Sequence, residues 1–471
     1  MPRPFRLRRR PTPTSFLPTG AWIVVLVGVV SSAVFLSWPP TERPGREFWI
    51  FSNQRLTDYE SAIADWNRDH PDARDQINIT LLHLSALERR MMAAATADAP
   101  IADLVEGERD LVARVFAGPI EEVGFVDLTD RIAAENLLDQ FNAPSLSPWI
   151  SRGRIFGLPH DVHPCLLGYR SDIVEAAGID VSQIETWDDF YRVLGPLIAD
   201  LDGDGRPDRY LLNYWENQRD QTQALLLQAG SQFFDDAGHV TVDHALNARV
   251  LARLVTWVTG PNRFCVDAPE FTAGGDQMRL EGTVIASIMP DWLAGTWKNY
   301  IPGLAGKVKL MRLPAWEPGG RRTSVWGGTC LSITTTAPDP EKSWAFAKHL
   351  YFSPQVAEGL FRSTATISPV KAMWSRPFYH EPDPFFSGQK VGARYIREAP
   401  FVPERASSPF NTMVMDRLMV VLIDLKAHAL EHQRFDPIAL EPEARRLLAA
   451  AQADLEARVG RNVLYRPPPS P

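Results

Sequence analysis

The sequence has little cysteine, and this scarcity limits its covalent and metal chemistry. Only three of the 471 residues are cysteine, so at least one thiol cannot pair within the chain. No Cys-x-x-Cys pair and no Cys/His cluster with zinc-ligand spacing occurs, which excludes the common structural zinc sites. We predict that Cys165 and Cys330 are buried as small apolar residues, with a disulfide between them as the alternative.

Several catalytic motifs and charge patterns are also missing. The chain has no Gly-x-Ser-x-Gly nucleophile elbow, no phosphate-binding glycine loop and no His-Glu-x-x-His motif. Its net charge of -8 is modest, and no long acidic or basic run occurs beyond the N-terminus. We therefore expect no nucleic-acid partner, and none of these three classes of enzyme.

The chain does have enough apolar residues for a large core. With 471 residues, of which 45% are hydrophobic, it exceeds the size of a single core, and we expect two lobes. Over residues 47–105, short apolar runs alternate with helical patterns, which predicts a parallel sheet covered by helices. Further strands are predicted near residues 282–289, 307–314 and 325–334, and helical patterns dominate the rest of the chain.

The N-terminal forty residues differ in composition from the rest. Five arginines occur within residues 1–20, and an uncharged apolar run over residues 21–38 is long enough to cross a bilayer as a helix. We predict a cytoplasmic basic segment, then a transmembrane anchor or uncleaved signal, then a linker over residues 39–46. A cleaved signal peptide is the alternative, although Trp38 and two prolines follow the run in place of a small-residue cleavage site.

The segment of residues 157–190 is the most informative in the chain. A Leu-Pro pair begins a polar loop, a short apolar and aromatic run follows over residues 165–169, and a helical pattern then ends near Gly178. Thr186 and Asp189 have the spacing of a capping box before another helix. This order resembles the lobe crossover of bacterial extracellular solute-binding proteins of family 1, the carbohydrate-binding, maltose-binding-protein-like components of ABC importers.

The resemblance extends from about residue 48 to about residue 459 and implies an α/β, two-lobed periplasmic-binding-protein fold of type II. Each lobe would be a sheet flanked by helices, with hinge strands between the lobes and one N-terminal transmembrane helix before them. Lobe 1 would hold residues 47–164 and 291–338, lobe 2 residues 165–290 and 339–460, and residues 461–471 would form a disordered tail. No cysteine precedes Cys165, so the lipid-attachment cysteine of many relatives is missing, and the apolar helix would replace the lipid.

The same resemblance implies a binding protein and not an enzyme. It would capture a mono- or oligosaccharide in the cleft between the lobes, close by hinge motion and deliver the sugar to the permease subunits of an ABC transporter. We expect a monomer at the cell membrane, held by a single-pass N-terminal anchor, with its lobes on the extracytoplasmic (periplasmic or outer) side. Two alternatives are a binder of a non-sugar solute such as a polyamine, and a carbohydrate-active enzyme or sensor domain with this fold.

Sugar binding needs flat aromatic faces and planar polar side chains, and open α/β sheets bind ligands beyond the carboxyl ends of their strands. The chain has 14 tryptophans, of which those at predicted strand ends or in loops are candidates. The predicted ligand-binding residues are Asn53, Gln54, Glu106, Asp161, His163, Trp215, Asp291, Trp292, Trp326 and Gly327. A pair among the acids Glu106, Asp161 and Asp291 would instead suit a glycosidase. Each polar candidate has a helix cap or a solvated loop position as its alternative.

The Asp-rich stretch of residues 200–208 matches the first positions of a calcium-binding loop. Alternate side chains there can converge on one cation, and a backbone carbonyl would supply a further ligand. The predicted ligands are Asp200, Asp202, Asp204, Arg206 and Asp208. Leu211 occupies the position where such a loop carries its bidentate acid. We predict a structural calcium ion, with a solvated Asp/Gly turn as the alternative.

Overall fold

The structure is a computed structural model that describes residues 19–37, 44–97, 99–235 and 237–462. It divides into two units, Met1–Pro44 and Gly45–Pro471. Among the described residues we find no helix long and apolar enough to cross a membrane, which does not support the anchor predicted for residues 21–38. The predicted basic segment, except its last two residues, most of the linker and nearly all of the C-terminal tail lie outside the described residues.

The strands are short and lie within the second unit. Among the described residues they are β1 (Arg46–Ile50), β2 (Ile77–Leu81), β3 (Leu104–Glu108), β4 (Ile150–Ser151), β5 (Arg154–Ile155), β6 (Leu158–Pro159), β7 (Cys165–Arg170), β8 (Tyr210–Asn213), β9 (Cys265–Val266), β10 (Val284–Pro290), β11 (Val308–Arg312) and β12 (Thr329–Ile333). Two five-stranded sheets contain all of them except β4 and β5, which pair with each other.

Helices make up most of the remaining regular structure. They are α1 (Thr19–Ser37), α2 (Asn53–Asp69), α3 (Leu84–Ala97), α4 (Arg109–Arg114), α5 (Thr129–Ala134), α6 (Ala143–Leu146), α7 (Ser171–Ala176), α8 (Trp187–Leu194), α9 (Arg219–Ala229), α10 (Ala245–Val258), α11 (Ala273–Glu281), α12 (Asp291–Tyr300), α13 (Pro340–Tyr351), α14 (Pro354–Thr364), α15 (Val391–Glu398), α16 (Asn411–Glu431) and α17 (Pro437–Gly460). Of these, α1 alone belongs to the first unit.

The first sheet has the strand order β2-β1-β3-β12-β6 and defines what we call the first lobe. Strand β1 is parallel to β2 and β3, as the alternation of strand and helix patterns predicted, and β12 is antiparallel to β3 and β6. Phe48 and Ile50 of β1 are fully buried against Tyr59 and Trp66 of α2 in one apolar core. Burial of these large side chains fixes the helix on the sheet, because each contributes roughly 1.5–3 kcal/mol.

The second sheet has the strand order β11-β7-β10-β8-β9 and defines the second lobe. Strand β7 is antiparallel to both β10 and β11, whereas β8 is parallel to β10 and β9. Helix α10 packs against α17 and α16, so that the long C-terminal helices cover this lobe. All six residues of β7 and all seven of β10 are buried, as expected for central strands with helices on both faces.

The two lobes are joined by a pair of antiparallel crossover segments. The chain leaves the first sheet after β6 and enters β7 through residues 160–164, and it returns through residues 313–328 into β12. Pro164 pairs with Val325, and the N–H of Cys165 donates to the carbonyl of Ser324 at 2.9 Å. The segment of residues 157–190 thus contains one of the two crossovers, residues 160–164, and its residues 165–169 belong to a central strand of the second sheet.

The structure differs from the predicted lobe boundaries in two places. Residues 291–312 belong to the second lobe, since β11 pairs with β7 over five residues and α12 follows β10. Helix α13 packs on α2 and β12 in the first lobe, although the C-terminal part of the chain was assigned to the second. An amphipathic pattern shows that a helix has a buried face, but not which sheet that face covers.

Two local predictions are confirmed. Thr186 caps α8: its hydroxyl oxygen accepts from the N–H of Asp189, and the Asp189 carboxylate accepts from the N–H of Thr186, which is a complete capping box. The three cysteines, Cys165, Cys265 and Cys330, are all buried and free. Burial raises the pKa of each thiol, so they act as small apolar side chains.

Candidate functional site

A cavity of about 610 Å³ lies between the two lobes, beside the crossover segments. Its volume falls within the ~300–1,000 Å³ that is typical of small-molecule sites. The first lobe contributes Phe51, Ser52, Arg55, Glu108, Arg109 and Asp110, and the second contributes Arg219, Asp220, Gln223, Phe271, Trp292 and Thr296. The remaining lining residues are His163, Val325, Trp326, Gly327, Gly328, Thr329, Thr364, Thr366 and Arg405.

Three aromatic side chains form a cluster on one wall of this cavity. The rings of Phe271 and Trp292 are nearly parallel, with centroids 6.0 Å apart and 8° between their planes. The ring of Trp326 stands at 85° to that of Trp292, with 5.4 Å between centroids. The indole N–H of Trp292 donates to the carbonyl of Trp326 at 2.9 Å, which fixes the ring and leaves its face apolar. Phe271 is 70% exposed, an unusual state for so large an apolar side chain.

A glycine pair in the returning crossover lets the chain pass close to this cluster. Gly327 and Gly328 have φ angles of +106° and +133°, which L side chains rarely adopt. A Cβ atom on Gly327 would lie 2.8 Å from Cδ2 of His163 and 3.3 Å from Nε1 of Trp292. Glycine is therefore required at this position for both conformational and steric reasons.

At the wall of the cavity, His163 connects two buried carboxylates that lie beneath the lining. Its Nδ1 lies 2.6 Å from Oδ1 of Asp291, and its Nε2 lies 3.0 Å from Oδ2 of Asp161. Burial opposes the charged imidazolium, but the two carboxylates overcome it and raise the pKa of His163 to about 10. Asp291 also accepts from the backbone N–H groups of Trp292 and Ile367, at 2.7 and 2.8 Å. The protonated ring thus holds the crossover against the start of α12.

A second buried group surrounds Glu106. One carboxylate oxygen of Glu106 accepts from Arg55 at 3.0 Å, and the other accepts from the hydroxyls of Tyr59 and Tyr351 at 2.5 and 2.7 Å. The guanidinium of Arg55 also lies 4.0 Å from Asp161. Burial opposes the charge on Arg55, but Glu106 and Asp161 together raise its pKa above the usual range. Glu106 is fully buried, and these partners occupy both of its oxygens.

Four of the ten predicted ligand-binding residues line the cavity. They are His163, Trp292, Trp326 and Gly327. Glu106, Asp161 and Asp291 lie beneath the lining, buried and bonded to protein groups. Glu106 was selected because the third strand was expected to end at residue 105, but β3 continues to Glu108, and the later acid is the one that lines the cavity.

Asn53, Gln54 and Trp215 lie outside the lining. Asn53 is exposed at the first position of α2, and one turn of helix brings Ser52 and Arg55 to the cavity instead. The ammonium group of Lys426 lies over the ring of Trp215, 4.3 Å from the ring centroid, so Trp215 packs against α16.

Sequence reasoning missed several lining residues for two reasons. Phe51 and Glu108 follow the strand-end rule that selected their neighbours, and a correct strand boundary would have found them. Phe271 and Arg405 lie in irregular segments far from the crossover along the chain, and no periodic pattern marks them. Only the folded chain brings these two residues to the same cavity.

The Asp-rich loop is organised by its own backbone. Carboxylate oxygens of Asp200, Asp202 and Asp208 lie within 4.8 Å of one another, whereas Asp204 is not part of this group. Asp200 and Asp208 together accept from four backbone N–H groups of the loop, at 2.7–3.2 Å. These bonds are those of a self-capped Asp/Gly turn, and calcium binding at this loop stays a prediction.

Comparison with known proteins identifies the family. The family model of bacterial extracellular solute-binding proteins matches residues 53–357. The chain belongs to this family. The match includes β3, the crossover, the second sheet, α12 and most of the cavity lining.

Curated relatives of this solute-binding protein include two arabinooligosaccharide-binding proteins. The protein from Halalkalibacterium halodurans is 26% identical over 350 residues, which cover 72% of this chain and 74% of the relative. The protein from Bacillus subtilis is 24% identical over 319 residues, which cover 66% and 69%. A lactose-binding protein from Rhizobium radiobacter is 22% identical over 51% of this chain and 56% of its own length.

Solved structures confirm the two-lobed α/β fold. The sugar-binding protein MalE from Xanthomonas citri superposes with a TM-score of 0.67 at 16% identity and covers 88% of this chain and 99% of its own. A solute-binding protein of an ABC transporter from Thermotoga lettingae, bound with alpha-D-tagatose, gives a TM-score of 0.66 at 15% identity, with coverage of 88% and 100%. At these identities, the likeness shows the fold alone.

Proposed function

We propose that this solute-binding protein captures a carbohydrate, a mono- or oligosaccharide, in the cavity between its lobes and delivers it to the permease subunits of an ABC importer. The observation that carries the proposal is the fixed aromatic cluster of Phe271, Trp292 and Trp326 in a cavity that is also lined by arginines, acids and hydroxyl groups. The names of the curated relatives, which refer to arabinooligosaccharides and lactose, agree with it.

The lining offers the two kinds of contact that a sugar requires. The apolar C–H faces of a pyranose or furanose would lie against Phe271 and Trp292, whose rings are nearly parallel. Ring hydroxyls would bond to polar groups of both lobes, such as Ser52 and Glu108 of the first and Thr296 of the second. A ligand bonded to both lobes would favour their closed arrangement, because it gains those contacts only when the lobes approach each other.

A polyamine fits this cavity poorly. A linear polycation needs an excess of carboxylates, but the lining has four arginines against the three acids Glu108, Asp110 and Asp220. The tightly bonded acids Glu106 and Asp291 face protein groups and do not add to that count. Because Glu106 neutralises Arg55 from beneath the lining, the cavity has no excess of carboxylates to hold a polycation.

We propose binding without turnover. The acids that were considered as a glycosidase pair have other partners: Asp161 and Asp291 bond to His163, and Glu106 bonds to Arg55 and two tyrosines. A general acid must reach the glycosidic oxygen, which these buried groups do not. Incubation of the chain with an oligosaccharide that it binds should leave the sugar intact by chromatography.

We further propose an extracytoplasmic location and a monomer that meets its permease in the membrane. The description of the family as extracellular supports the location. Co-purification of the chain with permease subunits from its own membranes would separate a transport role from a sensor role, since a sensor domain would be recovered with a signalling partner instead.

Isothermal titration calorimetry and thermal shift test the carbohydrate proposal. The full chain is screened against arabinooligosaccharides, galactosides, maltodextrins, uronates, polyamines and simple anions. We expect a carbohydrate to bind and to raise the melting temperature, with binding weakened in Trp292→Leu. A clear response to a polyamine or another non-sugar solute, with none to any carbohydrate, would overturn the proposal.

A further inference from the structure

Arg405 reaches the cavity from an irregular segment between α15 and α16. Its side chain lies against the glycine turn of the crossover, where its Nη1 donates to the carbonyl of Gly327. A Cβ atom on Gly328 would lie 2.9 Å from its Nη2, so the guanidinium packs directly on this backbone. The residue is only 8% exposed, yet it belongs to the lining of the cavity.

This buried guanidinium has no carboxylate in direct contact among the residues that the structure describes. Within the described residues, no carboxylate oxygen lies within 4.0 Å of Arg405, its Nε is buried without an acceptor, and its Nη2 makes no hydrogen bond. Burial and the positive charge of Arg109 lower the pKa of Arg405 to about 9, while Asp161 and Asp110 oppose this shift from a greater distance, so the group stays charged near neutral pH. A buried and unpaired charge is costly, so such groups normally have a partner.

The other three arginines of the cavity all have carboxylate partners. Arg55 lies 3.0 Å from Glu106, Arg109 lies 2.9 Å from Asp110, and Arg219 lies 3.5 Å from Asp220. His163 is also balanced, since it contacts two buried carboxylates. Among the arginines of the lining, Arg405 is therefore the one without an ion pair in the described residues.

The remaining acid of the lining does not balance this charge. Glu108 forms no ion pair within 4.0 Å in the part of the chain that the structure describes, and burial raises its pKa. The positive charges of Arg55 and Arg109 oppose this rise in pKa. Glu108 is thus suited to bond a sugar hydroxyl, while Arg405 keeps its free N–H groups.

We infer that Arg405 selects an acidic carbohydrate, a sugar that carries a carboxylate or a phosphate, by placing that anionic group against its free N–H groups. The inference rests on the proposed function, because it states which carbohydrates the same cavity prefers. Carboxylate and phosphate oxygens match the planar donor pattern of a guanidinium, and a charge-assisted pair in a cavity is about twice as strong as a neutral hydrogen bond. The ligand would complete the charge balance that the protein leaves open.

Titration calorimetry on the full chain at neutral pH tests this inference with matched probes. Uronic acid disaccharides (galacturonate, glucuronate and mannuronate types) and hexose 6-phosphates are compared with their neutral counterparts. We expect at least one acidic probe to bind ten or more times more tightly than its neutral counterpart. The probe that shows the preference, a uronate or a phosphate, identifies the source of the anionic group.

Two variants assign the preference to Arg405. Arg405→Gln should lower the ratio of affinities for the acidic and the neutral probe at least tenfold. Arg405→Lys should lower this ratio less, because the positive charge remains. Arg362→Gln is the control, since Arg362 lies outside the cavity lining and already has Glu358 and Glu381 within 3.0 Å, and it should keep the preference. If Arg405→Gln does not fold, the methyl ester of the bound uronate decides the question in the unmodified chain, because esterification removes the charge and should cost the same tenfold.

Two results would overturn the inference and leave the proposed function intact. The first is binding of neutral sugars as tightly as, or more tightly than, every acidic probe. The second is a preference for an acidic probe that Arg405→Gln retains. By contrast, binding of no carbohydrate at all, with a response to another class of solute, would reject the proposed function itself.

Discussion

The Nδ1 atom of His163 lies 2.6 Å from Oδ1 of Asp291, so that a residue of the lobe crossover is tied to the first residue of α12. His163 has a positive φ angle of 56°, a conformation that is uncommon for residues other than glycine. This contact therefore holds the crossover loop in an unfavourable backbone conformation at the wall of the ligand cavity. The same α12 carries Trp292, so the pair also sets the position of the aromatic cluster.

We predict that stability depends on pH through this network. The folded pKa of His163, about 10, is higher than its unfolded value of about 6.5, so its contribution is fully present below pH ~6.5 and is lost as the pH rises through about 10. For Asp161, burial works against ionisation, but the two histidines lower its pKa, so its contribution is present above pH ~4 and is lost as the pH falls further.

Urea unfolding between pH 3 and pH 10 measures this dependence. The contribution of His163 and Asp161 to the free energy of unfolding should be highest between about pH 4 and pH 6.5, and it should decline from about pH 7 upward. His163→Asn should remove most of the alkaline decline. An equally steep decline in that variant would show that other groups cause it.

Removal of the Asp291 carboxylate should strongly destabilise the fold. Asp291→Ala leaves the protonated His163 and two backbone N–H groups without their acceptor in a fully buried position, and we expect a loss of ~3–5 kcal/mol. The matched control is Asp188→Ala, which breaks a pair between Arg253 and an aspartate that is 79% exposed and should cost at most ~1 kcal/mol. Similar losses from both variants would contradict the role of the buried network.

The aromatic cluster should supply much of the affinity for a carbohydrate. Trp292→Leu keeps an apolar side chain but removes the flat aromatic face. We expect the dissociation constant for the sugar to rise at least tenfold, which corresponds to a loss of ~1.4 kcal/mol in binding free energy. Trp215→Leu is the control, because this tryptophan packs against Lys426 outside the lining. Calorimetry compares the two variants with the sugar that binds most tightly to the unmodified chain. Equal losses of affinity in both variants would mean that the aromatic cluster does not bind the sugar.

A closed ring of hydrogen bonds links the lobes at one end of the cleft. Arg109 donates to Gln223, Gln223 donates to Asn411, Asn411 donates to Asp110, and Asp110 pairs with Arg109, at distances of 2.9–3.3 Å. Since α4 belongs to the first lobe and α9 and α16 to the second, this ring spans the gap between them.

We predict that the ring favours the closed arrangement of the lobes. Asn411→Leu breaks two of its bonds, each worth ~0.5–1.5 kcal/mol, and should increase the radius of gyration of the sugar-free chain and weaken sugar binding several-fold. Small-angle X-ray scattering and calorimetry measure the two effects. Thr412→Ala, at the next position of the helix, should change neither, and an unchanged radius of gyration in Asn411→Leu would count against the ring.

The Asp-rich loop remains a predicted calcium site. If calcium binds there, it should raise the melting temperature, and chelation or Asp202→Ala should remove that increase. Asp243→Ala, at an exposed position elsewhere in the second unit, should retain the response to calcium. A melting temperature that does not depend on calcium would establish the solvated turn.

Much of the fold could be predicted from local patterns. The capping box at Thr186, the parallel arrangement of β1 with β2 and β3, and the burial of the cysteines depend on short-range chemistry, and they were predicted correctly. The return of the chain to the first lobe was placed too early, because β11 and α12 have patterns that fit either lobe. The partner of β11 in the sheet, β7, is more than a hundred residues away along the chain.

The sequence by itself determined the family, the class of fold and the crossover that contains His163. It also directed attention to Trp292 and Trp326, because strand ends and loops can be located from periodicity. Only the tertiary structure decided which polar groups are free to meet a ligand. Glu106 and Asp291 are bonded beneath the cavity, whereas Arg405 enters it unpaired, since pairing depends on distances between residues that the chain order does not fix.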